Sequence, residues 1–63
     1  MKLTININMD NSAFENGWAD EAERCCIAAI RKLDGMKDRD DSVAVTTIRD
    51  FNGNAVGTAT VED

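Results

Sequence analysis

The stretch that decides the fold is Asp50-Phe51-Asn52-Gly53-Asn54-Ala55-Val56-Gly57, set between the β-rich runs 43–48 and 58–61. Asn and Gly tolerate the positive φ that tight hairpin turns demand, so two such runs around Asn52-Gly53 predict a β-hairpin. Its register has two solutions. A two-residue turn at Asn52-Gly53 places Ile48 opposite Gly57. A three-residue loop at 52–54 instead gathers Val43, Val45, Ala55, Ala59 and Val61 on one face. Register follows the face that can be buried, and the second solution collects more apolar residues, so it is preferred.

Upstream, Leu3, Ile5, Ile7 and Met9 alternate with Lys2, Thr4, Asn6 and Asn8, the period of a strand with one buried face. Asp10-Asn11-Ser12 ends that strand. Ser12 followed by Glu15 has the spacing of a capping box, and Phe14 would anchor the short turn to the core. A helix is predicted over 18–34. At 100° per residue Trp18, Ala22, Cys26, Ala29, Ile30 and Leu33 share one face, while Asp20, Glu23, Arg24, Arg31 and Asp34 share the other. Gly35 stands where a left-handed C-cap is expected, after Arg31 and Lys32 in the last turn. Residues 36–42 form a polar connection, and strands follow at 43–49 and 55–61.

The order is β-α-β-β in one domain spanning 1–63, an α+β fold with the helix on a three-stranded, mostly antiparallel sheet. Strand order 1-3-2 is expected, with a parallel pairing of the first two strands as the competitor. The open sheet face would carry Thr4, Asn6, Asn8, Ile48, Val56, Thr58 and Thr60.

Composition narrows the function classes. With 63 residues the chain is near the lower limit for an unstapled domain, and a substrate cleft would consume its core. It has no His and no Tyr, only Ser12 and Ser42 as serines, and no Gly-rich phosphate loop, so no enzymatic activity and no cofactor are expected. Adjacent Cys25 and Cys26 read as packing residues on the helix, since neighbouring thiols close no useful disulfide loop and fall short of a zinc site. Asp38, Asp40 and Ser42, and again Asp50, Asn52 and Asn54, mimic the first positions of a calcium loop. Both registers lack its Gly and its bidentate Glu, so no metal is expected. No apolar run could span a membrane, and the N-terminus alternates in polarity where a signal peptide would be continuously apolar.

The net charge is −5, with −1 over residues 1–32 and −2 over each of 33–42 and 43–63. Such a chain repels phosphate backbones, so direct nucleic-acid binding is disfavoured, whereas a basic protein surface would attract it. The candidate contact residues are Asp34, Asp38, Asp40, Asp41, Asp50, Glu62 and Asp63, with Ile27 as an apolar residue on the polar helix face. Ile27 also raises the expectation of a homodimer formed through the helix or the open sheet face.

The opening Met1-Lys2-Leu3-Thr4-Ile5-Asn6-Ile7-Asn8-Met9-Asp10-Asn11, the following Ala13-Phe14-Glu15, and Arg49-Asp50-Phe51-Asn52-Gly53-Asn54-Ala55-Val56-Gly57 together resemble a family of short, largely uncharacterised proteins of bacteriophages and prophages. The resemblance implies a bacterial host cytoplasm. By analogy of size and charge it implies an anti-CRISPR-like inhibitor of a bacterial defence complex, such as a CRISPR effector. A small phage structural or regulatory protein that self-associates is the alternative.

The turn assignment is open to direct test. A β-branched side chain at a positive-φ position costs about 1–3 kcal/mol. Thermal denaturation of Gly53→Val is therefore expected to show a clear fall in Tm, and an unchanged Tm would move the turn elsewhere.

Overall fold

The computed structural model describes residues 1–37 and 43–63. The chain forms β1 (Lys2–Ile7), a single 3-10 turn (Ser12–Phe14), α1 (Trp18–Lys37), β2 (Val43–Arg49) and β3 (Ala55–Glu62). The three strands make one antiparallel sheet in the order β1-β3-β2, with no parallel pair. The helix packs mainly on β2, less on β3, and hardly touches β1. A 20-residue helix is about 30 Å long. It therefore fits only along the 39 Å axis of a body whose other dimensions are 17 and 16 Å.

The hairpin resolves its register in an unexpected way. Gly53 N–H donates to Asp50 O, and Asp50 N–H donates to Asn54 O, both at 3.0 Å, so the loop is Phe51, Asn52 and Gly53. Within this loop Gly53 alone has positive φ, at +86°, while Asn52 does not. This is a type I turn closed by a glycine bulge, with Asp at its first position as that turn favours. It pairs Arg49 with Ala55, yet the rest of the ladder pairs Ile48 with Gly57. Val56 is the extra residue that reconciles the two, a β-bulge in β3.

That shift turns over the expected faces. Ala44, Thr46 and Ile48 point into the core, whereas Val43 and Val45 are exposed. A one-residue change of register exchanges the two faces of a strand, and the loop sits one residue earlier than the preferred reading placed it. Ala55 is exposed for the same reason. Ile48 and Val56, expected on the open face, belong to the core, Val56 because the bulge carries it inward. Ala59 and Val61 are on the core side as expected.

Two end signals are also corrected. Asn11 caps the 3-10 turn, its Oδ1 accepting from Ala13 N–H at 3.0 Å, where Ser12 was expected to cap. The helix continues through Gly35 to Lys37, because Met36, three residues past Leu33, still packs against the core. The buried stripe of α1 is Glu21, Cys25, Ala29 and Leu33, rotated away from Trp18 and Ile30, which are 58% and 46% exposed. The apolar core is completed by Ala13, Phe14, Ala44, Ile48, Val56 and Ala59.

Gly57 is demanded by close approach. It faces Ile7 across β1 and β3, and a Cβ there would overlap the carbonyl oxygen of Asn6 and lie 2.9 Å from its carbonyl carbon. Backbone cannot yield as a side-chain tip can. Gly57→Ala is expected to cost about 3 kcal/mol or more, a large share of the stability of so small a domain. Gly35→Ala meets nothing within 4 Å and removes a helical glycine, so it is expected to stabilise by about 0.4–1 kcal/mol. Urea denaturation of the pair checks both signs.

Candidate functional site

Carboxylates are the chemistry this chain has in quantity, and besides exposed Asp10, Glu15, Asp20 and Glu23 the described ones form two groups. The first sits where the hairpin tip meets the helix start. Asp50 is 4% exposed. Its Oδ1 accepts from the backbone N–H groups of Asn52 and Asn54, both at 2.9 Å. Its Oδ2 accepts from the side-chain amides of Asn11 at 2.7 Å and Asn54 at 3.4 Å. Burial opposes ionisation of this carboxyl. The N–H donors of Asn54, Asn11 and Asn52 outweigh burial and hold it below the usual carboxylate range.

Glu21 stands beside it, 8% exposed. Arg24 grips it with both arms of its guanidinium, Nε to Oε1 at 2.8 Å and Nη2 to Oε2 at 2.9 Å. Phe51 N–H donates to the same Oε2 at 2.8 Å. The Arg24 bond is the main cause that lowers the Glu21 carboxyl. Burial opposes it, and Phe51 N–H adds to it. Arg24 is raised in turn by Glu21, and its Nη2 also reaches the carbonyl of Arg49 at 3.2 Å.

Cys25 lies 3.8 Å from Glu21 Oε2 and 3.7 Å from the Arg49 carbonyl. Burial first, then the nearby Glu21 charge, pushes its thiol pKa up, so it stays protonated at neutral pH. Each carboxylate oxygen of Asp50 and Glu21 already accepts from N–H donors. This arrangement holds the hairpin to the helix; it presents neither a free base nor a thiolate.

Asp50 is therefore corrected from a contact residue to an internal support of the turn. The second calcium-like register, Asp50, Asn52 and Asn54, is the same turn seen from sequence, with the carboxylate facing N–H groups. Among the described residues no cluster of three or more His, Cys, Asp or Glu could hold a metal ion. The first register, and with it Asp38, Asp40 and Asp41, lies outside the described residues. Sequence reasoning missed Glu21 and Asn11. The available signals were the four-residue spacing of Glu21 to Cys25, Ala29 and Leu33, and an Asn immediately before the turn.

The second group of carboxylates lies at the opposite end of the long axis. Glu62 pairs with Lys2 on one side and Val43 on the other, at the ends of all three strands. Asp34, near the helix end, borders an apolar groove of about 230 Å³ formed with Met1, Leu3, Ile30, Leu33 and Val61. Asp34, Glu62 and Asp63 are all exposed. The fold thus brings these three to one end and sends Asp50 to the other. Ile27 is 46% exposed on the solvent side of α1. No described helix is long and apolar enough to cross a membrane.

Compared with protein-family models, curated proteins and solved structures, the chain matches none.

The buried carboxylates set the acid response. Because Glu21 and Asp50 have depressed pKa values when folded, they contribute stability above the ordinary carboxylate pKa of about 4. That contribution is lost as pH falls through the folded values. The urea midpoint is expected to be level from about pH 5 to 7 and to drop below about pH 4. Glu21→Ala, which strands Phe51 N–H and Arg24, is expected to cost about 1–3 kcal/mol at pH 7, against about 0.5 or less for exposed Glu23→Ala.

Proposed function

We propose that this protein acts without catalysis, by binding a basic protein surface through its acidic end. The observation that carries the reading is the division of carboxylates. Asp50 and Glu21 are enclosed within the fold, whereas Asp34, Glu62 and Asp63 are exposed at the other end, Asp34 on the border of an open apolar groove. Apolar surface bordered by charge is the usual composition of a protein interface. The chain's net charge of −5 disfavours nucleic acid itself and favours the Lys and Arg that hold it.

The resemblance of both ends of the sequence to bacteriophage proteins supports a specific setting. In it the protein is a phage-derived inhibitor in the bacterial host cytoplasm, and its target is a defence complex such as a CRISPR effector. Carboxylates of the inhibitor would occupy cations that otherwise hold DNA or guide RNA, so inhibitor and nucleic acid would exclude each other.

The test is competition with nucleic acid on a purified target. CRISPR effectors are captured with the tagged protein, and the association rate is then measured at several salt concentrations. Asp34→Asn with Glu62→Gln and Asp63→Asn is expected to slow association by about tenfold and flatten its salt dependence. Binding that leaves DNA loading untouched, or that is indifferent to these three carboxylates, would overturn the reading.

A further inference from the structure

The first strand has a symmetry that the monomer does not use. Met1, Leu3, Ile5, Ile7 and Met9 form an apolar series centred on Ile5, and Lys2, Thr4, Asn6 and Asn8 form the polar series between them. β1 is an edge of the sheet, so one side of its backbone is unpaired by any strand among the described residues. Which residues face that side follows from one hydrogen bond. Asn8 N–H donates to Val56 O at 2.8 Å, in line with the ladder that pairs Ile7 with Gly57. In an antiparallel ladder such residues alternate, so Asn8, Asn6, Thr4 and Lys2 direct their N–H and C=O groups at β3. Leu3, Ile5 and Ile7 direct theirs at the free edge.

The apolar series is also poorly covered. Because α1 lies mainly over β2 and β3, it covers β1 only in part: Ile5 and Ile7 are half-buried against the core, while the ends of the series are open. Met1 is 89% exposed, Leu3 48% and Met9 43%, and Ile30 on the near flank of the helix is exposed beside Leu3. Of the usual edge protections β1 carries only Lys2 at its start, with no proline, bulge or inward-pointing charge.

The geometry points to a homodimer in which β1 pairs antiparallel with β1 of a second copy about a two-fold axis at Ile5. In that register Ile5 faces its own twin, Leu3 faces Ile7 of the second copy, and Met1 faces Met9. Every contact on the core side is apolar against apolar, and the outward N–H and C=O groups of all three central residues are satisfied. The sheets join into six strands with both helices on the same side. Lys2 pairs with Asn8 of the second copy and stands diagonally next to its Asp10, twice by symmetry, a favourable charge pair at each end.

The other free edge is less suited to self-pairing. The groove of about 550 Å³ between β2 and α1 is lined by Arg24, Lys32 and Arg49, which a two-fold axis would set against their own copies. The dimer at β1 goes beyond the proposed binding function and does not rest on it. Asp34, Glu62 and Asp63 lie outside the strand pairing and would be presented once by each copy.

Sedimentation equilibrium of the purified protein, with no partner present, is the test. From about 1 µM to 1 mM, the range for an interface of this size, the mass is expected to rise from the 6.9 kDa monomer to twice that value. Leu3→Pro removes an outward N–H and a half-exposed side chain but leaves the β1–β3 ladder complete, so it is expected to stay folded by circular dichroism and to sediment as a monomer. Thr4→Pro, by contrast, removes a ladder N–H and is expected to lower Tm. The register has its own test. Asp10→Lys is expected to weaken the dimer several-fold, and Lys2→Asp in the same chain to restore it. A parent protein that remains monomeric throughout, a folded Leu3→Pro variant that still dimerises, or an Asp10→Lys loss that Lys2→Asp does not repair would overturn the proposal.

Discussion

The carboxylate of Asp50 is the constraint from which most of the structure follows. Accepting from the N–H groups of both Asn52 and Asn54, it closes the turn over Phe51, Asn52 and Gly53 and over no other three residues. The ladder beyond must nevertheless pair Ile48 with Gly57 for Ile48 to enter the core. The two demands differ by one residue, and the bulge at Val56 absorbs it. The bulge turns Val56 inward and lies beside the tight crossing of Gly57 over Asn6 and Ile7. Through Asn11 the same carboxylate ties the 3-10 turn to the hairpin, which seats Phe14 in the core.

A domain of this size buries few large side chains, and Leu33 is the largest that is fully enclosed. Its tertiary contacts are therefore supplemented by a polar joint of Asn11, Glu21, Arg24 and Asp50. A buried ionic joint is weak evidence of net stability, because desolvation offsets much of the attraction. It is strong in specificity. A docking of hairpin on helix that lost these bonds would leave the buried carboxylates of Glu21 and Asp50 short of donors, and the structure leaves no buried described side-chain polar atom without a partner. Cys25 shares this environment and pays with a raised pKa, which leaves it inert.

The same division shapes the surface. A net charge of −5 does not describe a uniform field, since two of the anions are enclosed near the hairpin tip, Asp50 among N–H donors and Glu21 paired with Arg24. Exposed anions stand at the far end, Asp34, Glu62 and Asp63, and elsewhere on the surface, Asp10, Glu15, Asp20 and Glu23. An apolar groove lies beside Asp34, where the helix is offset toward β2, and the strand order leaves one edge of β1 unpaired among the described residues. The helix offset leaves open the groove beside Asp34 and the exposed ends of the β1 apolar series.

Element order, the antiparallel 1-3-2 sheet, the helix over its predicted span and the positive φ at Gly53 were legible in the sequence. Each depends on local rules: period-2 and 100° apolar patterns, and the freedom of glycine in a turn. The buried faces of β2 and α1, the capping role of Asn11 and the internal roles of Glu21 and Asp50 were not. Asn11 and Asp50 are 39 residues apart, and Glu21 and Phe51 are 30 apart. Local patterns rank Trp18 and Ile30 above Glu21 for burial, as hydropathy requires of an isolated helix. Only the assembled fold supplies the N–H donors that make a buried carboxylate favourable, and those donors decided which side of the helix and which register of the hairpin face inward.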